Sequence, residues 1–224
     1  MAISRRIVIA APPLLLAGCV AQRPPILNSL SNLVDPSYTT MYAAITTEPF
    51  PVPAIDLSEV DPQYLRREVA FTTPQPPGTI VVDPYARFAY FVLEKGRAIR
   101  YGVGVGKTEA FNFKGDAVIA RKAEWPRWTP TPNMIAREPE RYGKYAAGLP
   151  GGPENPLGPR ALYLYKDGRD TLYRLHGTTE PWSIGKMVSS GCIRLLNQDI
   201  IDLYRRVAIP TKAVVLSAAA SVSA

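Results

Sequence analysis

One histidine and two cysteines are the only imidazole and thiols in this 224-residue chain. The histidine lies in Arg174-Leu175-His176-Gly177-Thr178, and one cysteine lies in Ser189-Ser190-Gly191-Cys192-Ile193-Arg194. The other, Cys19, closes an apolar leader, so the mature chain is expected to carry a single free thiol. A thiol attacks as the thiolate and needs a base or a cation close by. His176 and Cys192 are therefore the candidate base and nucleophile. Gly191 lets the backbone bend sharply, so that the N–H groups of Gly191 and Cys192 are candidates to hold an oxyanion. In the competing reading, Cys192 is a small buried hydrophobe and His176 a hydrogen-bonded strand residue. One imidazole and one thiol leave only scattered carboxylates for a metal site, so neither a metal nor a cofactor is expected.

Both elements that carry these residues are legible. Leu162 to Tyr165 and Thr171 to His176, joined by Lys166-Asp167-Gly168-Arg169-Asp170, read as a β-hairpin. Alternation places Leu172, Arg174 and His176 on one face and Tyr173 and Leu175 on the other. His176 then ends a strand where a loop opens at Gly177. Beyond Cys192, Asn197 reads as the cap of a helix whose Ile200, Leu203, Tyr204 and Val207 form a core-facing stripe. Pro210 stops it, and Lys212 to Leu216 returns as a strand.

These residues resemble the L,D-transpeptidase catalytic domain (YkuD/ErfK) family of bacterial cell-wall enzymes. The likeness is carried by His176-Gly177-Thr178, Ile184-Gly185 and Ser189-Ser190-Gly191-Cys192-Ile193-Arg194-Leu195, with their spacing. Leu157-Gly158, Arg160-Ala161-Leu162, Asp199 and Leu203-Tyr204 add to it, over about residues 78 to 217. Ser190 stands where the family usually has a second histidine. The resemblance implies a mostly β domain, sandwich- or barrel-like, with one helix towards the C-terminus and a long lid insertion. It also implies an acyl transfer: Cys192 attacks the diaminopimelate–D-Ala bond of a peptidoglycan tetrapeptide stem, and an amine on a second stem or a lipoprotein lysine resolves the thioester. Arg194 is then a candidate to hold a stem carboxylate, or else a structural ion pair. Ser189, Ser190 and Gly177 are candidates for contacts to His176 or substrate, with turn-capping as the alternative for the serines. Two other functions stay open: a hydrolase that resolves the same thioester with water, and a non-enzymatic, membrane-tethered wall-binding protein.

The rest of the chain frames this domain. Residues 78–217 hold 21 Lys and Arg against 13 Asp and Glu, whereas residues 20–77 hold 3 against 6. The basic residues are scattered singly without interleaved aromatics, which argues against nucleic acid and for an anionic wall or membrane surface. Residues 1–19 read as an export signal, with Arg5 and Arg6, the apolar stretch from Ile7 to Leu16, and Leu16-Ala17-Gly18-Cys19 as a lipobox-like end. That predicts lipid on Cys19 and a periplasmic location, at the outer membrane because Val20 follows in place of Asp. Residues 1–77 hold twelve of the 23 prolines, ten of them in residues 20–77, which read as a Pro-rich spacer that partly packs on the domain, with one helix at Asp61 to Glu68. Residues 218–224 form a short tail.

Strands are predicted at Thr79 to Asp83, Phe88 to Leu93, Ala98 to Gly106 and Ala117 to Trp125. The Gly102-Val103-Gly104-Val105-Gly106 run lacks the Lys-Ser/Thr ending of a phosphate loop and reads as strand in close backbone contact. Residues 125–160 read as a long loop, with Trp128 in a wall over the site.

Overall fold

Alternate residues of the β-rich runs are claimed by two separate cores, and that division organises the molecule. The computed structural model describes residues 35–221; the leader, Cys19 and the last three residues lie outside the described residues. In chain order the elements are α1 (Pro36–Met41), β1 (Arg67–Ala70), β2 (Ile80–Asp83), β3 (Phe88–Val92), β4 (Arg97–Gly102) and β5 (Val105–Gly106). Then come β6 (Gly115–Glu124), α2 (Pro132–Arg137), α3 (Pro139–Tyr142), β7 (Arg160–Lys166), β8 (Arg169–His176), β9 (Met187–Ser189), β10 (Ile193–Arg194), α4 (Asn197–Arg206) and β11 (Thr211–Val215). Nine strands form one sheet in the order β1-β4-β3-β2-β11-β6-β7-β8-β10, while β5 pairs with β9. The fold is mostly β, as expected.

The sheet closes on itself. Gly104 and Arg194 exchange both backbone hydrogen bonds, at 2.9 and 2.8 Å, joining the end of β4 to β10. A Cβ at Gly104 would stand 2.7 Å from the Ser183 carbonyl, so the close approach of the Ser183 backbone beside this pairing requires glycine there. Inside lie Ile80, Val82, Tyr101, Ile119, Leu162, Leu164, Leu175 and Ile193, packed against Ile200, Leu203 and Val207 of α4. The helix stripe is the one its spacing predicts.

The second core belongs to the other set of alternating residues. Val81, Phe88, Tyr90, Val92 and Ala98 pack against Tyr42, Val60, Tyr64, Leu65 and Phe71. The proline-rich segment is thus, from residue 35 to Phe71, a strap sealed onto the barrel. Gln198 Nε2 faces the carbonyls of Tyr42, Ala43 and Pro53 at 3.4, 3.1 and 2.9 Å, and the Tyr42 hydroxyl donates to Asp199 at 3.1 Å. Arg160 meets Glu48 through two hydrogen bonds of 2.9 and 2.6 Å, and Trp125 Nε1 donates to the same carboxylate at 3.0 Å.

Three local expectations change. The helix at Asp61 to Glu68 is a single 3-10 turn, Pro62–Tyr64, because Leu65 is buried in the second core and Arg67–Ala70 is drawn into pairing with β4. Tertiary pairing overrides the local signal. Asn197 does not cap α4; its Oδ1 instead accepts from the Thr178 N–H at 2.9 Å. Residues 125–160 are not a bare loop. They contain α2, α3 and a 3-10 turn at Gly143–Tyr145 around a small cluster of Trp128, Tyr142 and Leu157. Thr131 caps α2 by accepting from the Met134 N–H, and Pro132 starts it.

Candidate active site

Strand register sets the site. Between β8 and β10, Leu175 stands opposite Ile193 and His176 opposite Arg194. Leu175 and Ile193 point into the barrel core, so Arg174 and His176 on β8, with Cys192 and Arg194 on the neighbouring segment, face outward. All four line one cavity of about 420 Å³. Its opposite wall is the lid, residues 125–159, which contributes Trp128, Met134, Arg137, Tyr142 and Leu157 among others. Ala161 of β7 is His176's partner across the strands, and its small side chain leaves the imidazole room.

The ladder is interrupted before this point. Leu172 has φ 66°, and the β7–β8 register shifts between Tyr163 and Tyr165. Such a bulge re-aims the residues after it. Here it turns the Leu172 carbonyl towards Cys192, whose Sγ donates to it at 3.8 Å. It also leaves Leu172 itself exposed, outside the simple alternation expected for β8.

His176 is 5 % exposed and its Nδ1 is 2.6 Å from the Gly177 carbonyl. A carbonyl only accepts, so Nδ1 carries the proton and Nε2 keeps its lone pair. Burial drives the imidazole pKa down to about 3, with the Arg194 charge adding to the effect and the Gly177 hydrogen bond opposing it. Burial pushes the Cys192 thiol up, while the Arg174 charge, the Arg174 backbone N–H and the Arg194 charge pull it back. At rest the imidazole and the thiol of this cavity are therefore both neutral.

Other candidates are placed differently from what their types suggest. The Gly191 N–H donates to Ser189 Oγ at 3.0 Å, and Ser189 Oγ donates to the Cys192 carbonyl at 2.7 Å. Ser189 therefore braces the turn, and the Gly191 N–H is occupied, which leaves the Cys192 N–H as the backbone donor of the expected pair. Gly191 has φ 133°, and a Cβ there would meet the Phe111 carbonyl at 2.6 Å, so the turn needs glycine. Ser190 Oγ lies 3.3 Å from the Tyr142 hydroxyl, tying the turn to the lid instead of to His176. Arg194 Nη1 pairs with Glu180 at 2.5 Å, the structural ion pair that was the alternative to a carboxylate holder. Gly177 holds the imidazole through its carbonyl, and Trp128 packs edge-on against Tyr142 and Tyr145 in the cavity wall. Sequence reasoning assigned no role to Tyr142, the Leu172 carbonyl or Arg174. Only Arg174 left a signal, its shared face with His176. Among the described residues, no cluster of three metal-ligating side chains occurs.

The profile of the L,D-transpeptidase catalytic domain (YkuD) matches residues 77–215. The chain belongs to the L,D-transpeptidase catalytic domain family. The "Probable L,D-transpeptidase ErfK/SrfK" of Escherichia coli (strain K12) is 35% identical over 136 residues, which are 60% of this chain and 42% of that protein. The "Probable L,D-transpeptidase YcfS" of the same strain is 34% identical over 149 residues, covering 66% and 46%. The match thus spans less than half of each of these relatives. A solved Brucella melitensis protein, named as a "Probable carnitine operon oxidoreductase caia", is 47% identical, with 69% of this chain and 94% of that one covered and a TM-score of 0.48. Within the family domain, residues 77–215 include β2 to β11 and every residue of the cavity; the strap lies before it.

Proposed function

We propose that this family member is a peptidoglycan L,D-transpeptidase in which Cys192 is the nucleophile and His176 the general base. The observation that carries the reading is one cavity lined by both residues, with His176 Nδ1–H donated to Gly177 and Nε2 left as an acceptor. The thiol proton passes to Nε2 as sulfur attacks the carbonyl of the diaminopimelate–D-Ala bond. The Cys192 N–H stabilises the oxyanion. Nε2–H then protonates the leaving D-Ala amine, and a thioester remains. An incoming amine from a second stem or a lipoprotein lysine gives its proton to Nε2 and releases the thiol. Free sites of this type hold the pair loosely until substrate arrives, in keeping with a resting Sγ engaged by the Leu172 carbonyl.

A neutral resting pair suits this cycle. Burial keeps the resting imidazole unprotonated, so Nε2 is free to take the thiol proton when substrate arrives. The test is intact mass after exposure to a carbapenem: wild type gains one adduct and Cys192→Ala gains none. Adduct on Cys192→Ala, or none on wild type, removes the reading.

Lipid anchoring through Cys19 and an outer-membrane address are part of the same proposal, supported by Leu16-Ala17-Gly18-Cys19 and Val20. Cys19→Ser should move the protein from the membrane to the soluble fraction; unchanged fractionation refutes the anchor.

A further inference from the structure

Four arginines line the cavity, and their partners differ. Arg194 is paired with Glu180, and Arg141 with Glu138 at 3.4 Å. Arg137 lies over the Phe111 ring on the lid side. Arg174 belongs to the sheet. Its guanidinium lies 4.9 Å from the centre of the Tyr163 ring, and among the described residues it forms no ion pair. Its Nε is buried without a hydrogen-bond partner.

The placement follows from register. Arg121, Tyr163 and Arg174 face one another across β6, β7 and β8. The next position in the row is Cys192, because Ile193 stands opposite Leu175 on the parallel strand β10. The Tyr163 ring is 3 % exposed and carries Arg121 at 4.2 Å as well. A buried ring fixes the orientation of a planar guanidinium and leaves its outer N–H fork for an oxygen pair. No ion pair joins it to Asp170, whose Oδ1 accepts from the Leu172 N–H at 2.8 Å.

We propose that Arg174 binds the free carboxylate of the residue that leaves when Cys192 is acylated, making this chain selective for donors with a free C-terminus directly after the scissile bond. The proposal rests on the acyl-transfer reading above. In such a donor the carboxylate carbon is three bonds from the attacked carbon, so a cation level with Cys192 reaches it while sulfur reaches the carbonyl. An amidated or extended donor offers no charge there and leaves the guanidinium unpaired. Arg194, held by Glu180, stays with the strand pairing. The Arg174 charge also acts on the thiol, so its two effects must be separated.

The experiment compares two tetrapeptide stems, one ending in D-Ala and one in D-alaninamide, by release of the terminal residue. Wild type should prefer the acid by about 10- to 100-fold in kcat/KM, the range of a charged hydrogen-bonded pair. Arg174→Gln should bring the ratio near one, and Arg174→Lys should retain part of it, since a point charge replaces a fork. Arg121→Gln removes a charge from the far side of Tyr163 and should keep the full preference. Iodoacetamide alkylation of Cys192 against pH reports thiol ionisation alone, and thermal melts confirm folding. A wild type indifferent to the terminal charge overturns the proposal. So does an Arg174→Gln that alkylates more slowly yet keeps the acid preference, because Arg174 then serves only the thiol. Release that persists in Cys192→Ala, or is absent in wild type, overturns the underlying acyl-transfer reading instead.

Discussion

Residues 35–71 and 125–159 are both proline-rich and tyrosine-bearing, and both lie across the barrel, yet one is sealed and the other roofs a cavity. The strap turns Tyr42, Leu65 and Val52 to 0–1 % exposure. Polar groups tie it down as well, with Gln198 on three carbonyls and Glu48 on Arg160 and Trp125. The lid gathers only a small cluster of Trp128, Tyr142 and Leu157, and lines the cavity with Arg137, Arg141 and the edge of that cluster. Complete packing gives a segment stability, and incomplete packing over a reactive floor gives it a ligand. The strap should therefore govern folding and the lid and floor should govern rate.

The largest expected effect is on the floor. His176→Ala should slow carbapenem acylation near neutral pH by about 10²- to 10⁴-fold, with part of the loss regained at alkaline pH, where the thiolate forms unaided. Wild-type acylation at neutral pH by this variant would make His176 structural. Next comes the strap. Leu65→Ala should cost about 2–5 kcal/mol of stability by denaturant melts and leave the acylation rate of the folded protein unchanged. A variant that keeps its stability but loses rate breaks the division.

The two regions also respond to pH with opposite sign. Burial pushes the strap-side Asp199 up to about 7, so its contribution is full below pH 3.8 and is lost as pH rises through 7. His176, lowered to about 3 from 6.5, contributes fully above pH 6.5 and loses that contribution as pH falls through 3. From about pH 4 to 6.5 the slopes oppose. Relative to wild type, Asp199→Asn should gain stability as pH rises through that window, and His176→Gln should lose it. Thermal melts across the window read both, and parallel curves refute the assignment. The smallest effect is at the lid. Tyr142→Phe removes the contact to Ser190, worth about 0.5–1.5 kcal/mol, and should lower kcat/KM a few-fold while the melting temperature falls by no more than about 6 °C.

What the sequence revealed was local. His176 at a strand end, Cys192 after a glycine turn and the α4 stripe are each written in a few consecutive residues, as is the close packing of Gly102, Gly104 and Gly106. The single strand expected from Ala98 to Gly106 nevertheless breaks into β4 and β5, which join different sheets. The strap was legible only as a spacer that partly packs, and its fastenings escaped because their signal is spread out: Gln198 meets the carbonyl of Tyr42, 156 positions away. The bulge at Leu172 escaped because nothing in a leucine announces a positive φ. The roles of Ser189 and Ser190 depended on which hydroxyl reached which partner, and residue type alone does not decide that. Asn197 read as a cap because the same side chain that suits a cap also suits a loop N–H.

The first turn of α4 has a mechanical consequence. Asn197 holds the loop after His176 through Thr178, while the next two residues, Gln198 and Asp199, hold the strap. Tension entering at the N-terminal side of residue 35 is delivered along the strap to that turn, one residue from the fastening of the catalytic loop. If the chain hangs from a membrane by its N-terminus, the tether and the His176 loop share one of their fastenings, the first turn of α4. A load that peels the strap would then slacken that loop before it opens the barrel.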